Sequence, residues 1–140
     1  MFERYSERAR RAVFFALREA HDFRCPWIMT EHLLLGILRE DPGIASQLSA
    51  GAPEKIRQEL ERLASPGHER IPTVGDLPLS VDTKRALLFA AEEYEALHPK
   101  TIDTPHLLLG LLRVEECTAA KLLRQHGMDY QRYRETVDHV

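Results

Sequence analysis

Apolar positions along this chain recur at intervals of three and four, and no segment sustains an alternation of two, so the pattern predicts helices throughout. Ala9, Ala12, Val13, Ala16 and Ala20 form one such stripe, preceded by Ser6, a residue type that caps helix starts. Small side chains allow a close neighbour, so this first helix is expected at the centre of its unit. A second helix is expected from Thr30, with Leu33, Leu34, Ile37 and Leu38 on its apolar face. Pro42 and Gly43 are expected to interrupt the chain before a short third helix carrying Ile44, Ala45 and Leu48, ended by Gly51. Pro53 is expected to open a fourth, with Ile56, Leu60 and Leu63 on one side. The scheme then repeats from Ser80, Thr104, Glu116 and Asp129. The predicted fold is all-α.

The repetition is internal duplication. Residues 30–39 (TEHLLLGILR) and 104–113 (TPHLLLGLLR) agree at eight of ten positions, an offset of 74 residues. The same offset aligns Tyr5–Ala16 with Leu79–Ala90, Ala45 with Ala119 and Leu48 with Leu122, after which it drifts until Gly51 answers to Gly127. Between the halves, residues 65–78 (SPGHERIPTVGDLP) hold three prolines and two glycines, which forbid a regular helix and mark a linker. One domain over residues 1–140 is expected, with a first repeat at about 1–64 and a second at about 79–140.

Composition narrows the function. A net charge of −3 offers no basic field for nucleic acid, and no apolar run is long enough for a membrane span. Two cysteines, Cys25 and Cys117, make no disulfide framework, and a reducing cytoplasmic setting is expected. No G-x-x-x-x-G-K-[ST] phosphate loop, H-E-x-x-H or C-x-x-C occurs, so no cofactor and no metal is expected. His21, Cys25 and His32 are too loosely spaced for a metal set; His32 and His106 are expected to bond neighbouring backbone. Cys117 falls near a helix start, where a thiol pKa can drop, but neither cysteine has a motif-placed base. Arg4, Arg8, Arg11 and Arg18 lie near one helix face and raise a helix-turn-helix reading. Glu7, four residues before Arg11, points instead to an ordinary ion pair on a solvated face.

The leading residues Phe2, Tyr5, Ser6, Glu7, Arg8 and Ala9, with the blocks Thr30–Ile37 and Thr104–Leu111, give the chain a known pattern. It resembles the N-terminal repeat family of Clp AAA+ unfoldases, closest in style to the ClpC branch. The resemblance implies an eight-helix bundle of two tandem four-helix repeats with pseudo-twofold symmetry. It implies a non-catalytic module that docks protein clients or adaptor proteins for a Clp ATPase module in cis or in trans, or a free-standing chain that sequesters them. It also implies a phosphoarginine pocket in each repeat.

Carried onto this sequence, the first pocket comprises Ser6 for the phosphate and Glu31 for the guanidinium, surrounded by Glu7, Arg8 and Thr30. A helix N-terminus suits a phosphate because its amides are free and its dipole end is positive. In the second repeat Ser80 and Thr104 remain, but Pro105 stands in the glutamate's place and Asp82 in that of Arg8, so that site is expected to be degenerate. Glutamate and proline are both favoured in a first helical turn for reasons unrelated to ligands, so a plain helix-start role stays open for Glu31 and Pro105. Phe2, Tyr5 and Trp27, with Phe14, Phe23 and Met29, are candidates for an apolar docking patch, expected near a groove between the repeats.

Overall fold

The computed structural model describes residues 2–63, 77–97 and 100–138. Eight helices follow one another: α1 (Glu7–Asp22), α2 (Thr30–Glu40), α3 (Pro42–Ala45), α4 (Ala52–Leu63), α5 (Val81–Leu97), α6 (Thr104–Arg113), α7 (Thr118–Gln125) and α8 (Tyr130–Asp138). No strand occurs among the described residues, and the linker expected at 65–78 falls almost wholly outside them. No described helix is long and apolar enough to cross a membrane.

The alanine stripe does its predicted work. Ala9, Ala12, Ala16 and Ala20 are fully buried, and α1 crosses α2 on that face. The crossing is so close that a methyl group on Gly36 would lie 2.1 Å from the Ala12 carbonyl oxygen. Gly110 repeats the relation at 2.1 Å from the Ala86 carbonyl oxygen, where α6 crosses α5. The shared glycine of the two LLLG blocks is therefore a helix-crossing residue. Arg39 lies over the Phe15 ring at 3.8 Å and Arg113 over Phe89 at 4.1 Å, closing the same crossing in both repeats.

The first helix is not central, however. Buried on nearly every side, α2 and α6 pack against each other in the middle of the molecule. A single stripe of alanine cannot bury a helix whose other faces carry Glu7, Arg10, Arg11 and Arg18, so α1 lies outside α2. Boundaries also differ. Pro42 starts α3 rather than preceding it, because Asp41 caps the helix by accepting from the Ile44 amide. The next element of the second repeat begins at Thr118, with Cys117 rather than Glu116 at its cap.

Equivalent ion pairs fasten the last helix of each repeat to the first. Arg57 of α4 donates to both carboxylate oxygens of Glu19 on α1, at 3.0 and 2.7 Å. Arg134 of α8 donates to Glu93 on α5 at 2.9 Å, and the Tyr130 hydroxyl donates to the same carboxylate. Glu93 occupies the position 74 residues beyond Glu19, so duplication preserved the fastening.

Candidate functional site

The repeats meet by exchanging their helix starts. Just before α1, Tyr5 bridges Ile102, which precedes α6; just before α5, Leu79 bridges Ile28, which precedes α2. The Ser6 amide donates to the Ile102 carbonyl at 2.9 Å, and the Ser80 amide to the Ile28 carbonyl at 3.0 Å. Each α1-type N-terminus therefore faces the α2-type N-terminus of the other repeat. Two unlike sites result.

At the first site, Ser6 caps α1 by accepting from the Ala9 amide at 3.1 Å, while its hydroxyl donates to Asp103 at 2.7 Å. Arg8 donates to both oxygens of Asp103, each at 2.8 Å, and pairs with Asp41 at 3.3 Å. Thr104 completes the constellation by donating to Asp41 at 2.7 Å. Burial opposes ionisation of Asp103, but hydrogen bonds from Arg8 and Ser6 win and hold its pKa at about 2. A carboxylate of the second repeat thus sits where α1 would receive an anion. Arg8 is no solvated surface arginine; its neighbour Arg11 does make the expected exposed pair with Glu7, at 3.1 Å.

At the second site, Glu31 and Thr30 line a cavity of about 250 Å³ together with Ser80, Asp82, Glu116 and Cys117. Ser80 caps α5 through the Thr83 amide and exchanges a 2.7 Å hydrogen bond with the Thr83 hydroxyl. Burial pushes the Glu31 carboxyl above its ordinary range. Asp82 and Glu116 share Arg85, at 3.3 and 2.8 Å.

The expected pocket of Ser6 with Glu31 is therefore not assembled: Ser6 and Arg8 meet Asp103 and Thr104, while Glu31 meets Ser80. Likewise Pro105 does not accompany Ser80; it lines the cavity on the Arg8 side. The spacing within one repeat concealed this, because the exchange is a property of the interface between repeats. Asp41, Asp103 and Tyr133 escaped notice for the same reason. Only the repeat logic could have found Asp103, which stands where the first repeat has Met29.

The apolar candidates do not share one surface. Tyr5 is buried in the core, and Phe2 packs edge-on against it at 4.9 Å. Phe23 and Met29 are half-buried, whereas Trp27 and Phe14 are exposed. His32 and His106 each occupy the third position of their helix and accept, through Nδ1, from the backbone amides of Met29 and Asp103 at 2.9 and 2.8 Å. Burial raises the thiol pKa of Cys117 despite its place at a helix start, in keeping with a bystander thiol. No group of three potential metal ligands occurs among the described residues.

A duplicated all-α bundle with exchanged helix starts defines a tandem-repeat helical domain. Its residues 4–126 match the family model of the Clp repeat (R) N-terminal domain, and the chain belongs to that family. It is 36% identical over 141 residues to the negative regulator of genetic competence ClpC/MecB of Bacillus subtilis strain 168, covering 98% of this chain and 17% of that protein. The ClpC ATP-binding subunit of the ATP-dependent Clp protease of Staphylococcus aureus strain USA300 is 32% identical over the same shares. The chain thus spans about a sixth of the length of these relatives. Among solved structures, the N-terminal domain of the chaperone ClpD from Arabidopsis thaliana superposes with a TM-score of 0.74 at 28% identity, covering 96% of this chain and 92% of that one. A structure described as part of a malarial protein secretion system shares the fold, with a TM-score of 0.81 at 15% identity.

Proposed function

We propose that this chain is a non-catalytic docking module, working in a cytoplasmic setting, that receives protein clients or adaptors for a Clp-type ATPase in cis or in trans. The observation that carries the proposal is the inter-repeat interface. It creates two concave sites of unlike chemistry from one duplicated unit, and neither holds a nucleophile with a positioned base. The test is ATP-dependent proteolysis by Clp protease whose Bacillus subtilis ClpC carries this chain in place of its own N-terminal region. Turnover above that of ClpC lacking the region supports docking; turnover equal to it removes the proposal.

Phosphoarginine is the finer candidate ligand at Ser6, and the geometry weighs against it. Arg8 and the α1 N-terminus suit a phosphate, but Asp103 and Asp41 already engage them and would repel a second anion. Glu31, the residue suited to the guanidinium, lies at the other site. Calorimetric titration with phosphoarginine decides the matter: saturable binding lost in Ser6→Ala restores this ligand, and no heat at millimolar concentration discards it.

A further inference from the structure

The cleft beside Arg8 has a volume of about 560 Å³, within the range of ligand sites, and both repeats contribute to it. Its charges are already matched. Asp41 and Asp103 are held by Arg8, and Lys100 on the wall supplies a second cation, so the four formal charges cancel. Neither an anion nor a cation is therefore favoured as occupant.

Hydrogen bonding is not matched. Tyr133 of α8 is 3% exposed, lines the cleft and has no hydrogen-bond partner for its hydroxyl among the described residues. His106 also lines it; Nδ1 accepts from the Asp103 amide, so the neutral ring carries its proton on Nε2, which has no described partner. Lys100 makes no described ion pair. Tyr133, His106 and Lys100 thus offer donors to the cleft, whereas the oxygens of Asp41 and Asp103 are already engaged by Arg8, Ser6 and Thr104. Ile44, Pro105 and Val137 supply apolar wall.

The duplication provides an internal comparison. At the other interface, Met29 replaces Asp103 and Asp82 replaces Arg8. Ile56, fully buried and one residue before Arg57, answers to Tyr133, one residue before Arg134. A bundle needing only core at this position is satisfied by isoleucine. The hydroxyl is an addition that packing does not use, and it is no enclosed orphan: no fully buried side-chain oxygen lacks a partner among the described residues, so this one opens onto the cleft, where an occupant can reach it.

We infer that this cleft receives an uncharged, amide-bearing segment of a partner polypeptide, whose amide carbonyl accepts from the Tyr133 hydroxyl while flanking apolar groups rest on Ile44, Pro105 and Val137. The inference rests on the docking role and adds its location and ligand chemistry.

The experiment is titration of the full chain with acetyl-Leu-Gln-Leu-amide and its Glu and Ala twins, by calorimetry and by chemical-shift mapping. The Gln peptide binds once per chain, moves resonances of Tyr133 and His106, and binds about tenfold more weakly to Tyr133→Phe, whose melting temperature matches the parent. The Glu twin binds less well than the Gln peptide. Weak but detectable binding of the Ala twin at the same resonances assigns the accepted carbonyl to the peptide backbone; its absence assigns it to the side-chain amide. Equal affinity for Gln and Glu peptides, an unaffected Tyr133→Phe, or shifts confined to other residues would overturn the inference. If no peptide binds while the ClpC chimera still degrades clients, the cleft assignment falls and the docking role stands; failure of the chimera alone removes that role.

Discussion

Arg8 of the first repeat grips Asp103 of the second through two hydrogen bonds of 2.8 Å, and through that grip an α1 helix start is satisfied by the other repeat. The contact joins residues 95 apart in sequence and makes the two sites unequal.

Removing the grip weakens the interface. Asp103→Ala leaves Arg8 with Asp41 alone and strips α6 of its capping carboxylate, an expected loss of about 1–2 kcal/mol in urea unfolding at neutral pH. Asp103 titrates lower in the folded chain than in the unfolded one. Its contribution is therefore complete above about pH 4 and fades as pH falls toward 2, so parent and variant should converge in stability over that window.

Gly36→Ala and Gly110→Ala should each cost about 3 kcal/mol or more, because the obstructing atoms are backbone and cannot step aside. Denaturation midpoints would check this. Parent-like stability for either variant would mean that the helices can separate at that crossing.

The capping imidazoles make the fold sensitive to mild acid. Burial lowers the pKa of His32 to about 4 and also lowers that of His106, and each must be neutral at Nδ1 to accept its amide proton. The unfolded chain takes up these protons first, near pH 6.5. Stability from this source is thus full above pH 6.5 and declines as pH falls toward 4, and His32→Gln should flatten the decline measured by thermal melting across that range.

The equivalent carboxylates Glu19 and Glu93 should differ in importance. Glu93 is 3% exposed and accepts from the half-buried Tyr130 and Arg134, so Glu93→Ala should cost about 2 kcal/mol through the loss of these charge-assisted hydrogen bonds. Glu19 serves an Arg57 side chain that is 45% exposed, and its removal should cost under about 1 kcal/mol. Paired unfolding curves test the order.

Thiol labelling should distinguish the cysteines. Cys117 is buried, accepts from the Ala120 amide and has a raised pKa, whereas Cys25 is half-buried. A native-state alkylation time course at neutral pH should modify Cys25 alone, with Cys117 reacting only after denaturation.

Much of the architecture was legible in the sequence because its causes are local or periodic. Helix starts at Ser6, Thr30, Ser80 and Thr104 follow from capping chemistry and apolar spacing, and the offset of 74 residues announces two equal units. Even the tight crossing is written in Ala12, Ala16 and Gly36, though only geometry shows the glycine meeting a carbonyl. The rest depended on how the units meet. The family resemblance implied Ser6 beside Glu31, yet the interface pairs Ser6 with Asp103 and sets Glu31 in one cavity with Ser80. Tyr5, an apparent candidate for the surface, was drawn into the core at its bridge with Ile102. Periodicity reports which face of a helix is buried. Which partner buries it, and whose carboxylate reaches whose arginine, is decided by the exchange of helix starts across the pseudo-twofold axis, where the contacting residues lie far apart in sequence.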